Sequence, residues 1–381
     1  MRDTFLAFGT PDFTDQEINA VNRVMRSGWI GMGPETISFE NELRTYLNAP
    51  EVVTVNSCTS ALFLSLLVEG IGPGDEVIVP SLTWCATANA ALYLGATPVF
   101  CDVDPDTMIA TPQTISSCLT SKTKAVFVVH YGGLAADIES IRQSIPDNVV
   151  IIEDAAHAIG ALYPNGDKVG SSGNSVCFSF YANKNLSTGE GGAIALFDSE
   201  KAERLRTLRM SGQSANAWAR YISPSSVFIP PFDQLGYKMN YTDLQAAIGR
   251  VQLQRLDEMS IRRQLIVSHY NLMLSAYNID VKYQDKVLCS SHARHLFVCK
   301  FDCNHTGMSR DNLLLSLRNE NIGASIHYRP LHTQSLYSRF TKVLPNTDVL
   351  FEQIITLPIS ARMTTNDVDY VCANLAKIIS Q

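Results

Sequence analysis

Long apolar runs are missing from this chain: none of its 381 residues fall in an uninterrupted stretch of the ~18 that a membrane-spanning helix requires. The opening residues Met1 to Leu6 lack the apolar core and small-residue cleavage site of an export signal, so a cytoplasmic protein is expected. Positive charge is also in deficit. Lys and Arg number 30 against 37 Asp and Glu, a net charge of −7, which gives no electrostatic reason to expect nucleic acid or an anionic membrane as partner. Arg206, Arg209 and Arg220 are scattered and read as a solvated helix face. The nine cysteines show no regular pairing distances, and Cys58, Cys85, Cys101 and Cys177 lie in apolar or small-residue stretches, as buried thiols of a reducing compartment do. Cys299 and Cys303, with His305 nearby, lack a second ligand pair at zinc spacing, so no metal site is expected. Repeats and low-complexity tracts are likewise lacking. What is present is the composition of a globular enzyme, 46% hydrophobic and 18% charged, sufficient for one large core or two of unequal size.

Periodicity divides the chain. Thr14-Asp15-Gln16-Glu17 is a capping-box pattern followed by Ile18, Val21, Val24 and Met25 at helical spacing, so a helix is expected over 14–26. A glycine-rich loop from Ser27 to Pro34 leads to a second helix, Thr36 to Leu47. Short apolar runs then alternate with helical stretches: Val52 to Val55, Glu76 to Val79, Thr97 to Phe100, Ala125 to Val129, Val149 to Ile152, Val176 to Phe180 and Ala193 to Phe197. This alternation predicts an α/β fold, a mostly parallel seven-stranded sheet covered by helices on both faces. The last run follows the Gly191-Gly192 turn and is a candidate antiparallel strand. Residues 242–278 read as one long helix linking two domains. Beyond it, strand patterns at Leu296 to Phe301 and Ala324 to His327, with helices at Arg310 to Asn319 and Asn366 to Ile379, suit a smaller α+β domain. The expected units are 1–255 and 256–381.

One lysine has an unusual setting. The strand ending Phe178-Ser179-Phe180 delivers Tyr181-Ala182-Asn183-Lys184-Asn185, and Gly189, Gly191 and Gly192 follow. An amine held there and partly desolvated is nucleophilic and condenses with carbonyl compounds. Upstream, Val149 to Ile152 carries Glu153-Asp154-Ala155-Ala156-His157 on its carboxyl end, where parallel sheets bind ligands. Pyridoxal phosphate would need such an acid for its pyridine nitrogen, and also a phosphate site. Asp154 fits the first requirement, and His157 could bond that carboxylate or the ring hydroxyl. For the second, Val55-Asn56-Ser57-Cys58-Thr59-Ser60 ends a strand and starts a helix whose free N–H groups would hold an anion. Taken alone, those hydroxyls read as simple helix capping. Ser179 could add a phosphate contact. Trp84, just past the strand Glu76 to Val79, is either a platform for a flat ring or a core residue.

In this order on strand ends, these segments resemble the sugar aminotransferases of the DegT type, which are fold-type I pyridoxal-phosphate enzymes. The likeness covers nearly the whole chain, through Ser27-Gly28-Trp29-Ile30, Gly33-Pro34, Gly74-Asp75-Glu76-Val77-Ile78, Lys184-Asn185, Gly236-Tyr237-Lys238-Met239-Asn240-Tyr241-Thr242-Asp243 and His327-Tyr328-Arg329-Pro330-Leu331-His332. Within that family, Pro80-Ser81-Leu82-Thr83-Trp84, Gly95-Ala96-Thr97-Pro98-Val99, Asp102-Val103-Asp104 and Leu344-Pro345-Asn346-Thr347 are similar to the branch that makes UDP-4-amino-4-deoxy-L-arabinose from a 4-keto pentose. Tyr181 stands where family members often carry His, and Met239 where an aromatic is common.

The resemblance implies that Lys184 carries the cofactor as a Schiff base and acts as acid–base catalyst, that Asp154 pairs with the ring nitrogen and that Trp84 stacks on the ring. It implies a phosphate cradle of Ser57, Cys58, Thr59 and Ser179, completed by Lys238 from a neighbouring subunit, hence a homodimer with shared sites. The implied reaction moves an amino group from glutamate to a keto nucleotide sugar, a 4-keto UDP-sugar by the branch likeness, for cell-surface polysaccharide or lipid A sugars. Gly31, Met32, Tyr181, His327, Tyr328 and His332 would face that sugar, although His327 and His332 read equally as packed domain-interface residues. Two other classes share the scaffold: sugar dehydratases, which have histidine in place of the lysine, and a non-catalytic sensor of cofactor or sugar.

Overall fold

The computed structural model describes residues 2–213, 232, 234–284, 292–302 and 307–380. Arg220, Cys303 and His305 lie outside the described residues.

Local signals at the start of the chain act as read. Helix α1 (Asp15–Ser27) is held by a reciprocal cap between Thr14 and Glu17 and stops at Gly28, whose φ of 76° lies in the left-handed region. Helix α2 (Pro34–Leu47) begins on a proline, which sacrifices no hydrogen bond at that position. Its cap comes from far along the chain: the Asp243 carboxylate accepts from the N–H of Gly33 and Thr36 at 2.8 and 3.0 Å.

The predicted seven runs form one sheet. Its strands are β1 (Glu51–Val55), β2 (Glu76–Pro80), β3 (Thr97–Cys101), β4 (Thr123–Val129), β5 (Val150–Asp154), β6 (Ser175–Ser179) and β7 (Gly192–Leu196). Their spatial order is β1-β7-β6-β5-β4-β2-β3, and only β7 runs against its neighbours. Helices α3 (Cys58–Val68) and α4 (Cys85–Tyr93) follow β1 and β2, and α3 lies across β5, β6 and β7. Two short helices, α5 (Pro112–Ser116) and α6 (Ile138–Gln143), and α7 (Ser199–Leu208) complete this part. Because both faces are covered, the strands are apolar throughout rather than alternating, as Val126, Phe127 and Val128 illustrate with no exposed surface. With β7 reversed, the carboxyl ends of the other six strands and the start of β7 share one edge of the sheet.

Helix α8 (Asp243–Ala276) is 34 residues long and starts with a Thr242–Gln245 capping box. Position 255, where we propose that a large unit gives way to a small one, lies inside it. The C-terminal part builds a second sheet, β10-β9-β8, from β8 (Lys282–Tyr283), β9 (Phe297–Lys300) and β10 (Ile354–Leu357). Helices α9 (Arg310–Asn319), α10 (Pro345–Gln353) and α11 (Thr365–Ile379) accompany it. Its core joins Cys299, Leu317, Ile355 and Leu375 with Leu6 from the N-terminal arm.

Beside that arm lies one departure from expectation. Of the anticipated strand Ala324 to His327, only Ser325 pairs, through a bridge to Thr356. The backbone groups just before it are already taken, since Leu6 bonds Asn321 and Gly323 at 2.9 and 2.8 Å.

A second correction concerns Arg209, expected on a solvated face. It is 2% exposed, paired with Glu40, and donates to the carbonyl and hydroxyl of Thr54 at 2.6 and 3.2 Å. Arg206 is half-buried against Glu51. Charge separation along a helix says nothing about which face a neighbouring carboxylate will cover. Arg209→Met should destabilise the fold by about 3–5 kcal/mol, because the buried Glu40 carboxylate loses its cation and keeps the Thr54 N–H and hydroxyl as donors. Urea unfolding checks this, and a midpoint equal to wild type would refute it.

Candidate active site

The shared strand edge opens into a cavity of about 510 Å³, within the usual range for small-molecule sites. Its walls contain Ser57, Cys58, Thr59, Trp84, Asp154, His157, Ser179, Tyr181, Lys184, His327 and Tyr328, so segments remote in sequence converge on it. Gly31, Met32, Lys238 and His332 are not in this wall. Met32 is buried, and the Gly31 carbonyl accepts from Asp243 N at 2.9 Å, so both serve the α2–α8 junction. His332 has both ring nitrogens engaged, with Ser81 at 2.7 Å and Asp348 at 3.0 Å. Lys238 is exposed and bridges Met210.

Lys184 follows β6 on a turn in which its N–H bonds Tyr181 at 2.9 Å. Burial pulls its amine down from 10.5 to about 8, against Cys58 and Asp154, which favour the charged form. A substantial neutral fraction is thus available at neutral pH, as nucleophilic attack on a carbonyl requires.

Asp154 ends β5 and is 5% exposed. Thr87 Oγ1 donates to one carboxylate oxygen at 2.8 Å and Ala156 N to the other at 3.2 Å. Burial nevertheless raises its pKa above the ordinary carboxylate range, despite those bonds and the nearby Lys184. A cation brought to this carboxylate would hold it ionised. His157 is turned elsewhere, toward Gly132 and Tyr328, and does not bond the Asp154 carboxylate, one of its two expected roles. Its Nδ1 accepts from Gly132 N at 3.2 Å, so Nε2 carries the proton toward Tyr328 Oη at 3.1 Å. Burial, with Lys184 and His327 nearby, keeps His157 neutral, and burial with Lys184 pulls His327 to about 3.

At the opposite end, α3 starts at the cavity. Ser57 Oγ caps it by accepting from Ser60 N at 3.2 Å, which leaves the first-turn N–H groups of Cys58 and Thr59 without helical partners. Capping and anion binding are therefore compatible here. The floor beneath is tight: a Cβ at Gly192 would sit 2.7 Å from Cys58 N. Trp84 is 59% exposed, which excludes the core-packing reading, and its ring lies 5.6 Å from that of Tyr328.

An amine, an apposed carboxylate, an indole and an anion-binding helix start suit a flat, phosphorylated aldehyde with a basic ring nitrogen, and pyridoxal phosphate has these properties.

Comparison with known proteins agrees with this geometry. The family model described as DegT/DnrJ/EryC1/StrS aminotransferase matches residues 11–376. The chain belongs to that family. Among relatives of this DegT-type chain, the spore coat polysaccharide biosynthesis protein SpsC of Bacillus subtilis is 38% identical, covering 99% of this chain and 98% of the relative. The sugar aminotransferase Spr1654 of Streptococcus pneumoniae, described as putative and solved in a PLP form, superposes with a TM-score of 0.89 at 30% identity, covering 99% of both chains. Its PMP form gives 0.90 at 30% identity, covering 98% of both chains. The expected fold class is thereby met by this DegT-family chain.

Sequence reasoning missed Thr87, Asn183, Glu190 and His295. Thr87 had a signal, since it lies one helical turn beyond Trp84 on α4. His295 had none, because its neighbours in sequence carry no part of the site.

Proposed function

We propose that this chain is a pyridoxal-phosphate-dependent aminotransferase that carries the amino group of glutamate to a keto nucleotide sugar destined for a cell-surface polysaccharide. The observation that carries this reading is the partly desolvated Lys184 amine facing the same cavity as the Asp154 carboxylate and the open first turn of α3. When bound, the cofactor supplies an aldehyde for the lysine and a ring that takes up the electron pair left as a C–H bond breaks.

The protein's own groups do the rest. Asp154, buried and aligned by Thr87, holds the pyridine nitrogen protonated. Ser57, Cys58, Thr59 and Ser179 bind the phosphate, and Trp84 covers the ring. Lys184, once freed, moves the proton at the reacting carbon, so one residue is both anchor and acid–base catalyst. The lysine favours amino transfer over the dehydratase chemistry that a histidine at this position would support. Lys238, exposed and outside its own cavity, is suited to reach the phosphate in a second copy, and we infer a homodimer with shared sites. Tyr181, His327 and Tyr328 are the groups best placed to meet the sugar. By the likeness at Pro80 to Trp84 and Leu344 to Thr347, the substrate is a UDP-linked 4-keto sugar.

A panel of 3-keto and 4-keto nucleotide sugars linked to UDP, dTDP and GDP, incubated with glutamate and read by mass spectrometry, tests this. We expect 2-oxoglutarate and an amino sugar, best from the 4-keto UDP member. A product that loses hydroxyl without gaining nitrogen would mean a dehydratase, and bound cofactor without turnover a sensor.

A further inference from the structure

Behind Lys184, outside the cavity wall, lies a histidine to which the mechanism above gives no task. His295 is 2% exposed, and its Nε2 stands 3.5 Å from Lys184 Nζ. Among the described residues that nitrogen has no other partner. Long contacts of this kind are usual at catalytic groups in ligand-free structures and shorten when the site is occupied.

The tautomer of His295 follows from its other side. Asn185, the residue after the lysine, donates through Nδ2 to the Ala293 carbonyl at 2.7 Å, which turns its Oδ1 toward His295 Nδ1 at 3.3 Å. A carbonyl oxygen accepts only, so Nδ1 carries the proton and Nε2 is bare. The same Asn185 therefore sets the ring that faces its neighbour in sequence.

A second proton on this ring is strongly disfavoured. The His157 ring lies against it at 4.6 Å, Lys184 stands in front and His327 is near. Arg263 is buried behind, bonded to the carbonyls of Arg294 and Ile359 at 3.2 and 3.5 Å. Burial, then these cationic or proton-bearing neighbours, hold His295 neutral. Among the described residues no carboxylate contacts Arg263, so its charge is uncompensated and acts on the imidazole. The acidic groups that act on Lys184, Cys58 and Asp154, lie on the cavity side.

We propose that His295 is the resting partner of the Lys184 amine, an imidazole whose bare Nε2 accepts a hydrogen bond from Nζ whenever the lysine is free. This rests on the reading that Lys184 alternates between a cofactor-linked and a free state. His295 is then a positioning residue: it holds the released amine, and by favouring the ammonium it sets the pH at which the lysine gives up its proton. A second histidine that could itself charge would repel the amine instead.

The test measures the amine directly. Full-length protein freed of cofactor is reductively methylated with formaldehyde across a pH series, and the rate at Lys184 is followed by peptide mass spectrometry. Wild type should be half-maximal near pH 8. In His295→Leu the midpoint should fall by roughly one unit, because an acceptor for the charged form is gone. In His295→Gln, whose amide oxygen can accept, it should stay near wild type. Midpoints unchanged in both variants would overturn the proposal. If the leucine variant does not fold, 15N-histidine spectra of wild type decide: a bare Nε2 from pH 6 to 9 supports the proposal and a protonated one refutes it. Pyridoxal phosphate added to the same wild-type sample separates the two levels of inference, since absence of a borohydride-fixed adduct would sink the cofactor reading while the methylation profile still reports on His295.

Discussion

Lys184→Ala protein is expected to show no visible absorbance that borohydride can fix, and to lose amination by about 10³-fold or more, since anchor and proton carrier vanish together. The fold should survive. Its amine has a folded-state pKa of about 8 against 10.5 when free, so below pH 8 the native state holds a charge it disfavours. Between pH 8 and 10.5 the unfolded chain binds more protons than the native one, and stability gains with rising pH. The cofactor-free variant should therefore be no less stable than wild type at pH 7, with wild type gaining on it above pH 8. Thermal denaturation of both across that range gives the comparison. Undiminished amination by the variant would remove the lysine from the chemistry.

Asp154→Asn separates binding from catalysis. The amide keeps an acceptor for Thr87 but cannot hold a pyridine nitrogen protonated, so the cofactor should still load while kcat falls about 10²–10³-fold with little change in KM. A further consequence touches the lysine. Asp154 helps to hold the Lys184 pKa up, so its neutralisation should move the pH midpoint of lysine methylation below 8. A kcat equal to wild type would show that the ring nitrogen has another partner.

Much of this was written into local sequence. The runs of valine and isoleucine read as strands because a sheet covered on both faces needs apolar residues at every position, and the β-strands lie within a residue or two of those runs. Lys184, Asp154 and the Ser57–Thr59 turn were legible because each sits directly after such a run. What failed has a common cause. The missing strand at Ala324 to His327 lies beside the docked Leu6, and the burial of Arg209 depends on the approach of Glu40 from α2. His295 meets Lys184 because Ala293 and Leu296 bond the carbonyls of Gly133 and Gly132, some 160 positions earlier. Each is a contact between segments far apart in the chain, and local pattern carries no trace of the partner.

The N-terminal arm has a bearing on how the molecule is made. Leu6 lies in a core completed by Leu317, Ile355 and Leu375, and Arg2 N bonds the hydroxyl of Tyr370, 368 positions later. The segment around Leu6 is thus held by partners more than 300 positions away, Asn321 and Gly323 among them. Closing a loop over such a span is entropically costly and slows folding, so these contacts are expected to form late. That C-terminal core is therefore built from two distant stretches of chain at once, the long sequence separation that slows folding, and loss of the arm would leave it short of an apolar side chain and a backbone partner.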